Sequence, residues 1–170
     1  METKVILAGS GGQGIMFMGK LLAEAALLEG KNVTYLPAYG AEVRGGTANC
    51  TVIISDEEIG SPYAETTDVL VAMNEPSLAR FASRVKAGGK VIANSSLIRE
   101  CGTAACAFPF TQMAIGLGAA KAANMVAIGC CARKTGIVGV DGILSALASF
   151  SAKAAARETN QKAVQAGAAL

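Results

Sequence analysis

The chain has 170 residues, of which 52% are hydrophobic but only 5% aromatic, with a net charge of +2, five cysteines and no histidine. So small a charge excludes a nucleic-acid binder built on a basic surface, and the missing imidazole excludes a Ser-His-Asp triad, a histidine metal site and an imidazole general base. The length suits one domain with a full core, and the wealth of Ala and Gly points to close helix contacts or a broad subunit interface.

Residues 4–8 form an apolar run closed by glycine, which predicts a short buried strand. Ile15, Met18, Leu22 and Ala25 recur at helical spacing, predicting a helix over 13–29 that Gly30 terminates. Residues 32–36 predict a second strand, broken by Pro37. Strand, helix and strand in this order form a βαβ unit, so the first two strands are expected to be parallel. Beyond the loop 38–47, Cys50, Val52 and Ile54 alternate with Thr51, Ile53 and Ser55, predicting a third strand over 48–55.

Residues 68–73 read as a buried strand, and 75–85 as a helix with Asn74 as its N-cap and Pro76 in its first turn. Gly88-Gly89 marks a turn before a strand over 90–94, and a further strand lies near 105–108. Helices follow over 119–134, 141–150 and 151–165. The last is alanine-rich with a thin apolar stripe, as expected of a helix lying across a partner. Arg133-Lys134 suits the C-terminal end of a helix, where cations answer the dipole. The order implies an α/β fold: a doubly wound, mostly parallel, Rossmann-like sheet in a single domain over 1–170, with a helical C-terminal extension over about 151–170.

No stretch predicts a membrane span, since the most apolar late window, 113–131, contains Lys121 and Asn124. Only Val5-Ile6-Leu7-Ala8 separates Lys4 from the glycines, too little for a signal peptide, so a cytoplasmic chain with reduced thiols is expected. There is no CxxC pair. Cys101 and Cys106 would make half of a metal site without evident further ligands, while Cys130 and Cys131 fall in an apolar helical run and read as core.

Two glycine-rich turns flank the first helix. Gly9, Gly11 and Gly14 satisfy Gly-x-Gly-x-x-Gly after a predicted strand and at a helix start, where backbone amides and the dipole favour an anion and Gln13 offers a side-chain donor. The same glycines are equally consistent with a turn and nothing more. A nicotinamide site would also want an acidic residue about 20 residues on, at the end of the second strand. That strand end reads Tyr35-Leu36-Pro37-Ala38, Glu29 comes too early, and Glu42 falls in the next loop. In that loop Arg44 beside Gly45-Gly46 presents a planar cation to a carboxylate or phosphate, Glu42 pairs with it or orients it, and Tyr39 adds a ring and a hydroxyl. The alternative is a surface ion pair on a turn. Asn124 in its apolar helix reads as structural, and Asn94-Ser95-Ser96 lies where open α/β sheets place binding groups, or else begins a helix.

Gly11-Gly12-Gln13-Gly14, then Pro37-Ala38-Tyr39-Gly40-Ala41-Glu42-Val43-Arg44-Gly45-Gly46-Thr47, then Ile54-Ser55-Asp56-Glu57-Glu58-Ile59-Gly60-Ser61-Pro62 together resemble the gamma subunit of 2-oxoacid:ferredoxin oxidoreductases. Ala72-Met73-Asn74-Glu75-Pro76-Ser77-Leu78, Asn124-Met125-Val126-Ala127-Ile128-Gly129 and Gln161-Lys162-Ala163-Val164-Gln165-Ala166-Gly167 extend the resemblance over nearly the whole chain. Ala41 departs from it, standing where the family often has proline. The resemblance implies a subunit, inactive alone, of a complex that oxidatively decarboxylates a 2-oxoacid, transfers the acyl group to coenzyme A and reduces ferredoxin. It implies thiamine diphosphate and iron–sulfur clusters in the partner chains: catalytic alpha and beta subunits and a ferredoxin-like subunit. Soluble ferredoxin is the outside partner, and the isolated chain is open to self-association. The form of the arginine loop is closest to the 2-oxoglutarate branch, with pyruvate and branched-chain 2-oxoacids open. Gly11, Gly12, Gln13, Gly14, Tyr39, Gly40, Glu42, Arg44, Gly45 and Gly46 are then expected to face coenzyme A or partner subunits. A free-standing NAD or flavin module, or a purely architectural subunit, is the competing reading.

Overall fold

The computed structural model describes residues 1–39, 46–102, 105–150 and 154–170, with Tyr39 described by its backbone alone. The strands are β1 (Glu2–Ser10), β2 (Asn32–Tyr39), β3 (Thr47–Ser55), β4 (Thr67–Ala72), β5 (Val85–Asn94) and β6 (Ala105–Phe108). The α-helices are α1 (Ile15–Leu28), α2 (Glu75–Phe81), α3 (Phe110–Gly116), α4 (Ala123–Thr135), α5 (Val140–Phe150) and α6 (Ala154–Ala168). All six strands join one sheet in the order β2-β3-β1-β4-β5-β6. β1, β4, β5 and β6 pair in parallel, and β3 runs antiparallel to both β1 and β2. The expected mostly parallel α/β sheet is present, with one strand reversed.

β1 and β2 point the same way, as a βαβ unit requires, but β3 lies between them. After β2 the chain doubles back, and β3 pairs with β1 from Glu2↔Ser55 to Ser10↔Thr47. Pro37 does not end β2, whose ladder continues to Tyr39 opposite Ala48. β2 is an edge strand, and an edge tolerates proline because alternate residues turn their N–H away from the ladder.

Alternation along the strands sorts side chains to two faces. Val5, Leu7, Val52, Ile54 and Val71 join the core under α1 and α4, with α5 and α6 packed outside those helices. Ile6, Ala8, Leu70, Ala72 and Ala93 face the other way, onto Phe81 of α2 and Ile98. Both faces bury the middle of β1, which explains its unbroken apolar run. The end of α1 is a Schellman cap: Gly30, at φ 77°, donates to the Leu27 carbonyl at 2.9 Å and Lys31 to that of Ala26 at 3.0 Å.

The later helices depart from their expected limits. α2 ends at Phe81 and continues as a 3-10 turn over Ala82–Arg84, because Val85 is drawn into the ladder opposite Thr67. Gly88-Gly89 lies inside β5, where the register against β4 shifts between Thr67 and Val69. α3 was not foreseen, being only seven residues long. α4 begins at Ala123 after a 3-10 turn over Ala120–Ala122, so Asn124 sits in its first turn.

α6, expected to lie across a partner, packs on α4 of this same chain through glycines. A Cβ on Gly129 would fall on the Val164 carbonyl, and one on Gly167 on the Val126 carbonyl. The two backbones therefore touch, with Ala163 and Val164 fully buried beside them. The excess of small residues has here a physical use within the chain.

Glycine-to-alanine in a helix interior ordinarily stabilises by about 1 kcal/mol. At Gly167 the backbone contact reverses the sign, and overpacking at a contact that cannot yield costs about 1–3 kcal/mol. Gly167→Ala is expected to lower the thermal midpoint of the purified chain by roughly 3–10 °C. A midpoint that stays or rises would show that α6 does not dock as described.

Candidate functional site

The helices leaving β1 and β4 go to opposite faces, α1 to one and α2 to the other. Their carboxyl ends therefore flank a topological switch point, the place where open α/β sheets hold ligands. The first glycine turn sits there. Gly14, at φ 72°, is the residue before α1, and a Cβ on it would strike the Asn124 amide. Asn124, itself nearly buried, donates from Nδ2 to the Gly14 carbonyl at 3.3 Å. The starts of α1 and α4 are thereby fastened side by side, and neither has a side-chain cap. Two positive helix ends face one edge.

The second loop meets the first at its base. The Gly11 amide donates to the Gly46 carbonyl at 2.9 Å, next to the Ser10↔Thr47 pair. Gly12 is exposed, and none of the described residues lies within 4 Å of where a Cβ would be. Gly40, Glu42, Arg44 and Gly45 lie outside the described residues, and of Tyr39 only the backbone is placed, at the end of β2.

Gln13 is turned inward. Its Oε1 accepts from the Ser10 amide at 2.8 Å and from the Ser10 hydroxyl at 3.2 Å, and its Nε2 donates to the Met73 carbonyl at 3.4 Å. Asn74 caps α2 by accepting from Ser77 N at 3.0 Å and donates to Ser10 Oγ at 2.8 Å. Fully buried Asn94 donates to the Met73 carbonyl at 3.3 Å and to Thr111 Oγ1 at 2.9 Å. Arg80 of α2 lies over the Phe81 ring at 5.3 Å and reaches Thr47 Oγ1 at 3.4 Å. Ser10, Arg80 and Thr111 escaped the sequence reading. The signal for Ser10 is its place at the end of a parallel strand.

Apart from the Arg80 guanidinium, this network is made of amides and hydroxyls. Nothing in it titrates near neutrality, so it can bind and position but not transfer protons at that pH. Three of the cysteines are equally unreactive: burial pushes the Cys50 thiol up to about 12, Cys130 to about 11 and Cys131 to about 12. Among the described residues, no three Cys, Asp or Glu side chains gather into a metal-binding group. No helix among them is long and apolar enough to cross a membrane.

Among the described residues, the end of β2 offers no acidic partner for a dinucleotide. The neighbour of the glycine turn is the start of β3, and the end of β2 lies two strand spacings away, roughly 9–10 Å. Glu29 is engaged elsewhere, accepting from the Gly139 amide at 2.6 Å just before α5.

A depression of about 330 Å3 opens at the opposite, amino edge of the strands, where the charged groups are engaged within the chain. Lys86 pairs with Asp68 at 2.7 Å and the Met1 ammonium with Asp56 at 2.8 Å, while Lys31 and Lys90 donate to the carbonyls of Ile137 and Lys134. It reads as the fastening of the sheet's lower edge.

The site is thus the switch point of a nucleotide-type α/β sheet, its described residues arranged for holding. A family model described as pyruvate ferredoxin/flavodoxin oxidoreductase matches residues 4–170, and the chain belongs to that family. Subunit VorA of ketoisovalerate oxidoreductase from Methanothermobacter thermautotrophicus is 47% identical over 130 residues, which are 75% of this chain and 27% of VorA. Subunit KorC of 2-oxoglutarate synthase from Methanothermobacter marburgensis is 34% identical, over 98% of this chain and 95% of KorC. The crystal structure of a keto/oxoacid ferredoxin oxidoreductase gamma subunit from Geobacter sulfurreducens matches with a TM-score of 0.88 at 29% identity, over 98% of this chain and 94% of that one. The chain therefore spans only about a quarter of VorA but nearly all of KorC.

Asp68 supplies a pH test of the amino edge. Burial works to raise its pKa, but the Lys86 ammonium and the Lys4 amide, at 2.8 Å, outweigh this and hold the carboxyl below its ordinary value. A lowered folded pKa contributes stability above the unfolded value of about 3.9, and this is lost as pH falls through the folded value. Asp68→Asn is expected to be less stable than wild type at pH 7, with the gap closing at acid pH. Urea denaturation at a series of pH values checks this, and a gap independent of pH would refute the pairing.

Proposed function

We propose that this chain is the gamma-type component, one domain over 1–170, of a thiamine-diphosphate-dependent 2-oxoacid:ferredoxin oxidoreductase, inactive alone and working in the cytoplasm. The reaction releases carbon dioxide from the 2-oxoacid, joins the acyl group to coenzyme A as a thioester and passes an electron pair to ferredoxin. Thiamine diphosphate and iron–sulfur clusters sit in the partner chains: catalytic alpha and beta subunits and a ferredoxin-like subunit. A cofactor then supplies the reactive chemistry and this protein supplies position. The observation that carries the reading is the bond between Gly11 and Gly46, which joins both glycine loops at a switch point lined by amides and hydroxyls.

In this reading the backbone of the turn Gly11, Gly12, Gln13 and Gly14, with the Gln13 side chain directed inward, and the loop from Tyr39 through Gly40, Glu42, Arg44 and Gly45 to Gly46 face coenzyme A or a catalytic subunit. Arg44 neutralises a phosphate or a partner carboxylate, and the paired starts of α1 and α4 favour the same sign of charge. The 2-oxoacid is 2-oxoglutarate, giving succinyl-CoA; KorC, named as a 2-oxoglutarate synthase subunit, matches this chain almost end to end. A branched-chain 2-oxoacid is the second reading, favoured by the higher identity to VorA.

The test is isolation from the native host by a tag on this chain. Brown, cluster-bearing chains with thiamine diphosphate are expected to copurify, with coenzyme A-dependent dye reduction faster on 2-oxoglutarate than on pyruvate or 3-methyl-2-oxobutanoate. A yellow, flavin-bearing lone chain would overturn the reading, and faster turnover of the branched substrate would replace 2-oxoglutarate. Arg44→Ala is expected to weaken subunit retention or raise KM for coenzyme A about tenfold, the loss of one charge-assisted hydrogen bond. An unchanged complex with unchanged kinetics would remove Arg44 from the site.

A further inference from the structure

Resting on the reading that the loop between β2 and β3 faces coenzyme A or a catalytic subunit, we propose that Ser10, Gln13 and Asn74 form a strut that positions the base of that loop. In this view Gln13 and Asn74 are positioning residues, not ligand donors.

The strut is a directed chain of hydrogen bonds. Asn74 Nδ2 donates to Ser10 Oγ at 2.8 Å, and that hydroxyl, with its lone pair so engaged, donates onward to Gln13 Oε1 at 3.2 Å. The same Oε1 holds the Ser10 amide at 2.8 Å, while Gln13 Nε2 reaches the Met73 carbonyl at 3.4 Å. Bonds linked in series polarise and strengthen one another. The chain has room for nothing larger, since a Cβ on Gly9 would collide with Gln13 Oε1 and with Ile15.

The output of the strut is the loop base. Ser10 lies opposite Thr47 in the β1–β3 ladder, and the next residue, Gly11, holds the Gly46 carbonyl at 2.9 Å. Arg80 of α2 reaches Thr47 Oγ1 at 3.4 Å on the same face of the sheet. Asn74 and Arg80 lie on or next to the same short helix, so α2 holds both ladder partners at the point where the loop rejoins the sheet. This also explains why Gln13 points inward from a turn whose glycines invite a ligand.

Ser10→Ala is the cleanest break. It removes the hydroxyl and leaves the β1 ladder, the Asn74 cap on α2 and the bond from the Ser10 amide to Gln13. Hydrogen exchange on the full chain reads the strut itself. The Gly11 and Thr47 amides should exchange about fivefold faster, the loss of one neutral hydrogen bond, with Gln13→Ala having a larger effect and α4 and α6 unchanged. In the assembled complex, Ser10→Ala should move the parameter that Arg44→Ala moves, subunit retention or KM for coenzyme A, and leave kcat unchanged. The double variant should be no worse than Arg44→Ala alone, because coupled residues are not additive.

Unchanged exchange at Gly11 and Thr47 in both Ser10→Ala and Gln13→Ala would overturn the strut. So would additive effects of Ser10→Ala and Arg44→Ala in the complex. If Arg44→Ala is silent while Ser10→Ala still loosens Gly11 and Thr47, the reading of the loop falls and the strut stands. A thermal midpoint for each variant separates local loosening from global unfolding.

Discussion

The insertion of β3 between β1 and β2 decides what the carboxyl edge of this sheet can do. In an ordinary dinucleotide-binding unit the glycine turn looks across to the end of the second strand, where an acid holds the ribose. Here it looks onto the beginning of a reversed strand. Ser10 and Thr47 become ladder partners, and Gly11 reaches the Gly46 carbonyl. One change of strand order therefore moves the end of β2 away from the glycine turn and fastens that turn to the base of the second loop at Gly46 and Thr47.

That surface is held by groups whose charge does not change between mild acid and mild base. The amides of Gln13, Asn74, Asn94 and Asn124 all bond to backbone or hydroxyl partners. Buried amides in a satisfied network specify one arrangement more sharply than they stabilise it, because each unmet group would carry a desolvation penalty. Such a network suits a subunit that presents a fixed shape to chemistry done on another chain's prosthetic group. It suits a catalyst that must move protons poorly.

Much of the fold was legible because the strong local signals agree: an apolar run ending in glycine, a helical period closed by Gly30, and an N-cap at Asn74. What was hidden depends on contacts distant in sequence. Pro37 reads as a breaker until β2 is known to be an edge. Nothing local announces that β3 will slip between β1 and β2, because strand order is decided by pairing and not by propensity. The inward turn of Gln13 was likewise unreadable, since its partner carbonyl at Met73 is 60 residues away. Asn124 was read correctly as structural, but its partner, Gly14, was not visible from the helix in which it sits.

The glycines separate the internal requirements of the fold from those imposed from outside. At Gly129 and Gly167 a side chain would meet backbone, and at Gly14 it would meet Asn124, so the chain itself accounts for each. Gly12 differs: its φ of 95° favours glycine, yet none of the described residues lies within 4 Å of its missing Cβ. Its neighbours in the turn are tied down, Gly11 to Gly46 and Gln13 to Ser10. Gly12 is therefore the point of the turn where backbone stands bare, held still by a frame that does not crowd it. A rigid frame with one unobstructed backbone position is what close approach by a second molecule requires, and the arginine loop is anchored one residue away.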